Sequence, residues 1–307
     1  MPDILAGAMP DMVEPRFEAG RYVLDWGAGR IEIDPITGGR VTALHLDGGN
    51  LLTGPDVDPG NYGSTFWPAP QSAWGWPPLA EVDHGPYEVI RARDALVLNG
   101  ASNPALNVSI DKRVAADRAR GAVVFDFSIN NRASAPMQLA PWQITRVPPG
   151  GLSFFPTGSG SYPPSNLAVR EQGGVTWYAY DAAAITDHQK LFADGSEGWL
   201  AHVNVEAGAL LVKTFDAVPR AEHAPGEAQI EIYASPAHSY VEVEVQGAYR
   251  TIAPGDALAW RVVWLARKLP PGMAPVAGSA ALLAFVRGVV AADRAAVAAA
   301  PAAAAPA

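Results

Sequence analysis

The sequence predicts an all-β protein, a sandwich or barrel of antiparallel strands followed by a single C-terminal helix. Three observations predict it. Apolar residues recur with a period of two along most of the chain, turn residues punctuate those runs at short intervals, and no sustained helical periodicity precedes residue 270. Short strands at regular spacing bury their apolar faces by stacking two sheets or closing one.

Taken in order, Arg21–Trp26, Arg30–Asp34 and Arg40–Leu46 are the first strands, divided by Gly27-Ala28-Gly29 and Gly38-Gly39 and ended by Asp47-Gly48-Gly49-Asn50. Tyr87–Arg91 and Ala95–Asn99 come next. Leu106, Val108 and Ile110 then alternate with Asn107, Ser109 and Asp111. In 123–130, Val123, Phe125, Phe127 and Ile129 oppose Asp126, Ser128 and Asn130, as in a half-buried antiparallel strand. Met137–Arg146 sets Gln138, Ala140, Trp142 and Ile144 against Leu139, Pro141, Gln143 and Thr145, and alternation alone leaves either face free to line a site. Beyond Pro148-Pro149-Gly150-Gly151 lie Val175–Tyr180, Trp199–Val205, Ala209–Phe215 and Gln229–Tyr233. Val241, Val243 and Val245 alternate with Glu242, Glu244 and Gln246, and Ala257–Ala266 follows the turn Pro254-Gly255-Asp256. After Pro270-Pro271-Gly272, the stretch from Ser279 to about Ala292 reads as a helix with Leu282, Leu283, Phe285, Val286 and Val289 on its apolar side. The expected organisation is an N-terminal extension (1–16), one domain (17–269), a linker and helix (270–294) and a disordered Ala/Pro-rich tail (295–307).

Composition narrows the chemistry. The 307 residues carry a net charge of −9 without a run of Lys or Arg, which argues against nucleic acid or an anionic membrane as partner. With no Cys, thiolate metal sites, disulfides and cysteine nucleophiles are excluded. Hydrophobic residues make up 49% and charged ones 17%, the balance of a folded chain. No apolar stretch is long enough to span a bilayer, and residues 1–14 lack the basic start and apolar block of a secretory signal. As written, the chain is expected in the cytoplasm, or in the periplasm or outside the cell if a signal has been trimmed. Oligomeric state is not legible.

The densest concentration of unusual residues is Phe66–Pro78, which holds three of the nine Trp residues, Trp67, Trp74 and Trp76. Its Pro and Gly spacing argues against a regular helix or a central strand. Such a stiffened loop either offers flat faces to the C–H face of a sugar ring, with Gln71 binding hydroxyls, or plugs the open end of the core. Downstream, His84 precedes a strand, where an imidazole can reach a site. The other histidines lack metal-ligand spacing, Asp56 and Asp58 on a loop are too few for a calcium site, and no metal or other cofactor is expected. Glu242, Glu244 and Gln246 share one strand face, which either faces water or lines a site where a desolvated carboxylate serves as base. Lys190 and Lys213 are two of only four Lys, and Lys213 sits in the apolar run Leu210–Phe215 as a water-facing residue or a ligand for substrate oxygens.

The Gly-Gly hairpin, the aromatic loop, His84-Gly85, the Ala140-Pro141-Trp142 strand, the Val-Glu-Val-Glu strand and Ala259–Trp264 together resemble the galactose-mutarotase-like (aldose 1-epimerase-like) superfamily, in particular an uncharacterised bacterial branch of it. The resemblance covers about 21–269. It implies a β-supersandwich of two large antiparallel sheets holding a small-molecule sugar or oligosaccharide, and isomerase chemistry at a hemiacetal carbon. A carboxylate removes the anomeric proton while an acid protonates the ring oxygen. Position by position, Glu244 resembles the family's catalytic Glu and His84 its first active-site His. Where the second His stands, this chain reads Pro141-Trp142-Gln143, and neither indole nor amide exchanges a proton near neutral pH, which leaves His84 as the acid. Trp74, Trp76, Gln71, Trp142, Gln143, Lys213 and Glu242 form the expected substrate shell. The alternatives are a non-catalytic saccharide-binding protein, suggested by the missing His, and lyase or hydrolase chemistry on the same fold.

Overall fold

The computed structural model describes residues 11–160, 162–163 and 165–299. Two antiparallel sheets face each other across one continuous apolar interior. The first runs in spatial order through Arg16–Glu18, Arg21–Asp25, Gly29–Asp34, Arg40–Leu46, Ser64–Ala69, Met137–Val147, Val241–Gln246, Ile230–Ala234 and Gln189–Ala193. The second runs through Arg170–Gln172, Val175–Ala179, Leu152–Pro156, Trp199–Asn204, Ala209–Thr214, Ala257–Lys268, Ala122–Asn131, Val108–Asp117, Leu96–Gly100 and Tyr87–Arg91. The period-two pattern sorts the side chains as expected: Val123, Phe125, Phe127 and Ile129 from one sheet meet Val241, Val243 and Val245 from the other.

Helix Ala280–Ala299 covers the opposite face of the second sheet. It buries Leu282, Val286 and Val290 against Phe154, Trp177, Trp199, Val212 and Leu265, with Leu283, Phe285 and Val289 partly buried beside them. The helix continues into the stretch expected to be a disordered tail, because Ala is the strongest helix former and the run 295–299 contains no breaker. Residues 1–10 of the expected N-terminal extension and 300–307 of the tail lie outside the described residues. Within 11–16, Met12 bridges to Asp117 in the second sheet, and Arg16 opens a strand of the first.

The aromatic segment departs from expectation. Ser64–Ala69 is a fully buried central strand, and only the part after it is a loop, with a 3-10 turn at Gln71–Ala73 and a short helix at Ala80–Asp83. A proline is tolerated there because Pro68 lies directly opposite Pro141. Neither residue has an N–H, so the two occupy a pair that exchanges no ladder bonds. On the hairpin at Gly38-Gly39, a Cβ on Gly38 (φ +67°) would stand 1.9 Å from the carbonyl oxygen of Asp83. That close approach seats the end of the short helix, and with it Asp83, against the first sheet.

Candidate functional site

The outer face of the first sheet, turned away from the second, gathers the polar groups. Register sets Trp142 opposite Gln246, Ile144 opposite Glu244 and Arg146 opposite Glu242, so these residues project on one side. On the next strand Glu231 lies opposite Glu244, and Tyr233 opposite Glu242. Lys190 comes from the edge strand, opposite Tyr233. On the other flank, Trp67 lies opposite Trp142, and Thr65 opposite Ile144.

These side chains are joined in a network. Glu244, with no exposed surface, accepts from the Trp142 indole at 2.8 Å, and the Lys190 ammonium lies 3.0 Å from its carboxylate. Lys190 Nζ is also 2.6 Å from Glu231, and it sits over the rings of Trp142 and Phe192. Arg146 donates through Nε to Glu242 at 2.8 Å and through Nη1 to Thr65 at 3.0 Å, with its guanidinium 5.4 Å from the Trp67 ring centre. Gln246 donates to both Glu227 and Glu231. Glu227 arrives on the loop before the Ile230–Ala234 strand and accepts the backbone N–H of Gln71 at 2.5 Å, which ties the aromatic loop to this face.

Burial dominates the electrostatics. It pushes Glu231 up to about 8 against the attraction of Lys190, and the neighbouring Glu244 and Glu227 add to the rise. Glu227 and Glu242 are raised for the same first cause. Burial works against the Lys190 ammonium, but Glu231, Glu244 and Glu242 outweigh it and hold the proton firmly. Buried groups on this face keep atoms without a hydrogen-bond partner, among them Nη2 of Arg146 and Oε1 of Gln246.

The expected site residues divide. Glu244, Glu242 and Trp142 meet here, and the aromatic loop sits at the rim. Trp74 donates to the Pro68 carbonyl and packs edge-on against Trp67, whereas Trp76, also edge-on to Trp67, is 62% exposed. Trp67, on the strand, and Trp74, on the loop, thus pack into the apolar core, while Trp76 stays in solvent. Gln71 contributes its backbone N–H. Gln143 and Lys213 lie on the wrong side of the sheet for this shell. Gln143 accepts from Trp264 at 2.9 Å between the sheets, and Lys213, its proton affinity lowered by burial, donates to the Val243 carbonyl at 2.7 Å. Strand alternation imposes this, because Gln143 is one residue out of phase with Trp142.

His84 caps the short helix with its ring largely in solvent, 3.5 Å from Asp83. Asp83 pairs with the buried Arg40 at 2.9 Å and accepts from the Trp67 indole at 2.8 Å. Trp67 in turn packs on Trp142, which binds Glu244. The contacts leading from His84 to Glu244 thus run through Asp83, Trp67 and Trp142. The groups that do surround Glu244 and were not expected are Arg146, Lys190, Glu231 and Glu227. Their one sequence signal is charge inside apolar strands: Glu231 between Ile230 and Ile232, and Arg146 between Thr145 and Val147. Among the described residues no group of three or more His, Asp or Glu is placed to hold a metal, and no helix is long and apolar enough to cross a membrane.

The fold is that of galactose mutarotase-like proteins. A putative aldose 1-epimerase from Escherichia coli K12 superimposes with a TM-score of 0.56 at 11% identity, over 81% of this chain and 99% of that one. A galactose mutarotase-like protein from Clostridium acetobutylicum gives 0.54 at 10% identity, over 84% and 98%. A galactose mutarotase related enzyme from Lactobacillus acidophilus gives 0.55 at 8% identity, over 82% and 98%. No curated protein matches the sequence. Residues 69–267, well over half of the chain and including the Trp142, Arg146, Lys190, Glu231 and Glu244 network, match the family model described as a domain of unknown function, DUF4380, and the chain belongs to that family.

Proposed function

We propose that the chain is a saccharide-binding protein whose ligand is held on the outer face of the first sheet, over Arg146, Glu242 and Gln246 and beside the indoles of Trp67 and Trp142. The observation that carries this reading is the unpartnered Nη2 of the fully buried Arg146 next to aromatic faces. A buried donor without an acceptor costs about 1–3 kcal/mol, more when charged, and a sugar hydroxyl supplies that acceptor. The neighbours described as aldose 1-epimerase or galactose mutarotase-like proteins point the same way.

Binding is better supported than ring opening by Glu244 and His84. A base and an acid acting on one hemiacetal must both lie within hydrogen-bond reach of it, whereas Glu244 is engaged by the Trp142 indole and His84 sits largely in solvent beside Asp83. A second reading keeps turnover, with Glu244 as base and Glu231 as acid. Their direct opposition on adjacent strands favours it, as does a Glu231 carboxyl pushed up to about 8, which retains its proton at neutral pH. Titration calorimetry with neutral mono- and oligosaccharides tests the first reading: heats of binding that vanish in Trp142→Ala are expected, and none with any sugar overturns it. Anomer interconversion followed by NMR separates the two readings, since acceleration by the wild type that is lost in Glu231→Gln replaces binding with catalysis.

A further inference from the structure

We propose that the saccharide held on this face carries a free amino group, so that the site selects ammonium-bearing sugars over neutral ones and rejects uronates. This rests on the saccharide reading above. The reason is a charge balance that the protein does not close by itself. Glu242 has its own cation in Arg146 at 2.8 Å. Glu231 and Glu244 share a single cation, Lys190. Glu227 has none, its contacts being the Gln71 N–H and the Gln246 amide. With Glu231 holding its proton at neutral pH, three carboxylates, Glu227, Glu242 and Glu244, stand against two cations on one buried face, and the nearby Arg40 and Asp83 cancel each other.

A second observation places a vacant acceptor among them. Gln246, 2% exposed, gives its amide N–H bonds to Glu227 and Glu231, and its Oε1 is left without a donor. An amide oxygen held beside the uncompensated Glu227 carboxylate and the oxygens of Glu231 offers the three acceptors that an ammonium with three N–H donors requires. A carboxylate ligand would instead add a like charge where burial and mutual repulsion already raise Glu227, Glu231 and Glu242. The Arg146 Nη2 remains available for a ring hydroxyl.

The test is calorimetry on the full chain with glucosamine and its free-amine trisaccharide, their N-acetylated counterparts, and glucuronate. Free-amine sugars are expected to bind about tenfold or more tighter than the N-acetylated ones, with glucuronate weakest, because a desolvated charge pair is worth at least one decade in affinity. In Glu227→Gln the preference for free-amine over N-acetylated sugars should shrink. Equal affinity for amine and N-acetyl forms, or tighter binding of glucuronate, overturns the amine selectivity and leaves the saccharide site standing. Absence of binding by every sugar in the series overturns the saccharide reading itself. The wild-type series decides both points even if the variant does not fold.

Discussion

Arg146 concentrates the energetics of the outer face in one side chain. It is buried, bonded to Glu242 and Thr65, and laid over Trp67. Removing one partner of a buried ion pair costs more than the pair contributes, because the other charge is stranded. Arg146→Met is therefore expected to lower unfolding free energy by about 3–5 kcal/mol, and Glu242→Gln placed in the same protein to recover part of that. Urea denaturation of the four proteins of the cycle measures it, and strictly additive losses would contradict the pairing. Glu231 makes a prediction in pH. Its carboxyl is pushed up to about 8 in the folded chain from 4.5. The folded state thus binds the extra proton across that interval. The stability contributed by the group is whole below about 4.5 and is lost as pH rises through about 8. Glu231→Gln removes this dependence. The unfolding free energy of the wild type minus that of the variant should fall with pH across the window, by at most about 1.4 kcal/mol per pH unit. Taking the difference cancels other titrating groups, including His202, which burial lowers to about 4, and Lys112, which it lowers to about 7. A difference that stays flat from about pH 5 to 8 would show that Glu231 titrates normally.

At the scale of elements, the hairpin through Gly38 does more than reverse the chain. Its left-handed glycine lets the Asp83 carbonyl approach, and Asp83 then orders Arg40 and Trp67. Gly38→Ala combines an unfavourable φ with a backbone clash, and a loss of more than about 2 kcal/mol follows. At Gly20, also left-handed but with nothing within 4 Å, only the φ cost applies, so Gly20→Ala should lose about 1 kcal/mol. Comparable losses in the two variants would refute the close-packing account. The strands themselves were largely legible. The alternations in 123–130 and 241–246 carry their faces, because a period of two assigns every side chain to one side. They do not carry the burial of Glu244 and Gln246, which are as enclosed as the valines facing the other way. Ser64–Ala69 was not legible, since prolines argue against a central strand until the chain supplies a matching proline, and Pro141 lies some seventy residues away. The site was half legible for a related reason. Glu242 and Glu244 announce themselves by alternation, but which face of 137–147 joins them depends on register. That register makes Trp142 and Arg146 functional candidates and Gln143 a bridge to Trp264.

The whole molecule is asymmetric in a way that separates stability from binding. The second sheet is covered on its outer side by helix Ala280–Ala299, whose Leu282, Val286 and Val290 seal an apolar layer. The outer side of the first sheet carries the charged network instead, buried beneath the loops that bring in Gln71 and Glu227. The interior common to both sheets lies between these two outer layers, so a change in the helix layer reaches the network only through the full thickness of the sandwich. Val286, fully buried in the helix layer, provides the test. Val286→Ala removes two methyl groups and leaves a small cavity, a loss of about 2–3 kcal/mol in unfolding free energy. Sites this far apart and without shared partners behave additively, so the affinity for a saccharide, once one is identified, should stay within about twofold of the wild type. Arg146→Met should do the opposite in kind, lowering stability and abolishing binding together. If Val286→Ala weakens binding in proportion to its destabilisation, the outer face is not a preformed site. Its geometry would then depend on the packing of the entire sandwich, and the network around Glu244 would assemble only when the far layer is intact.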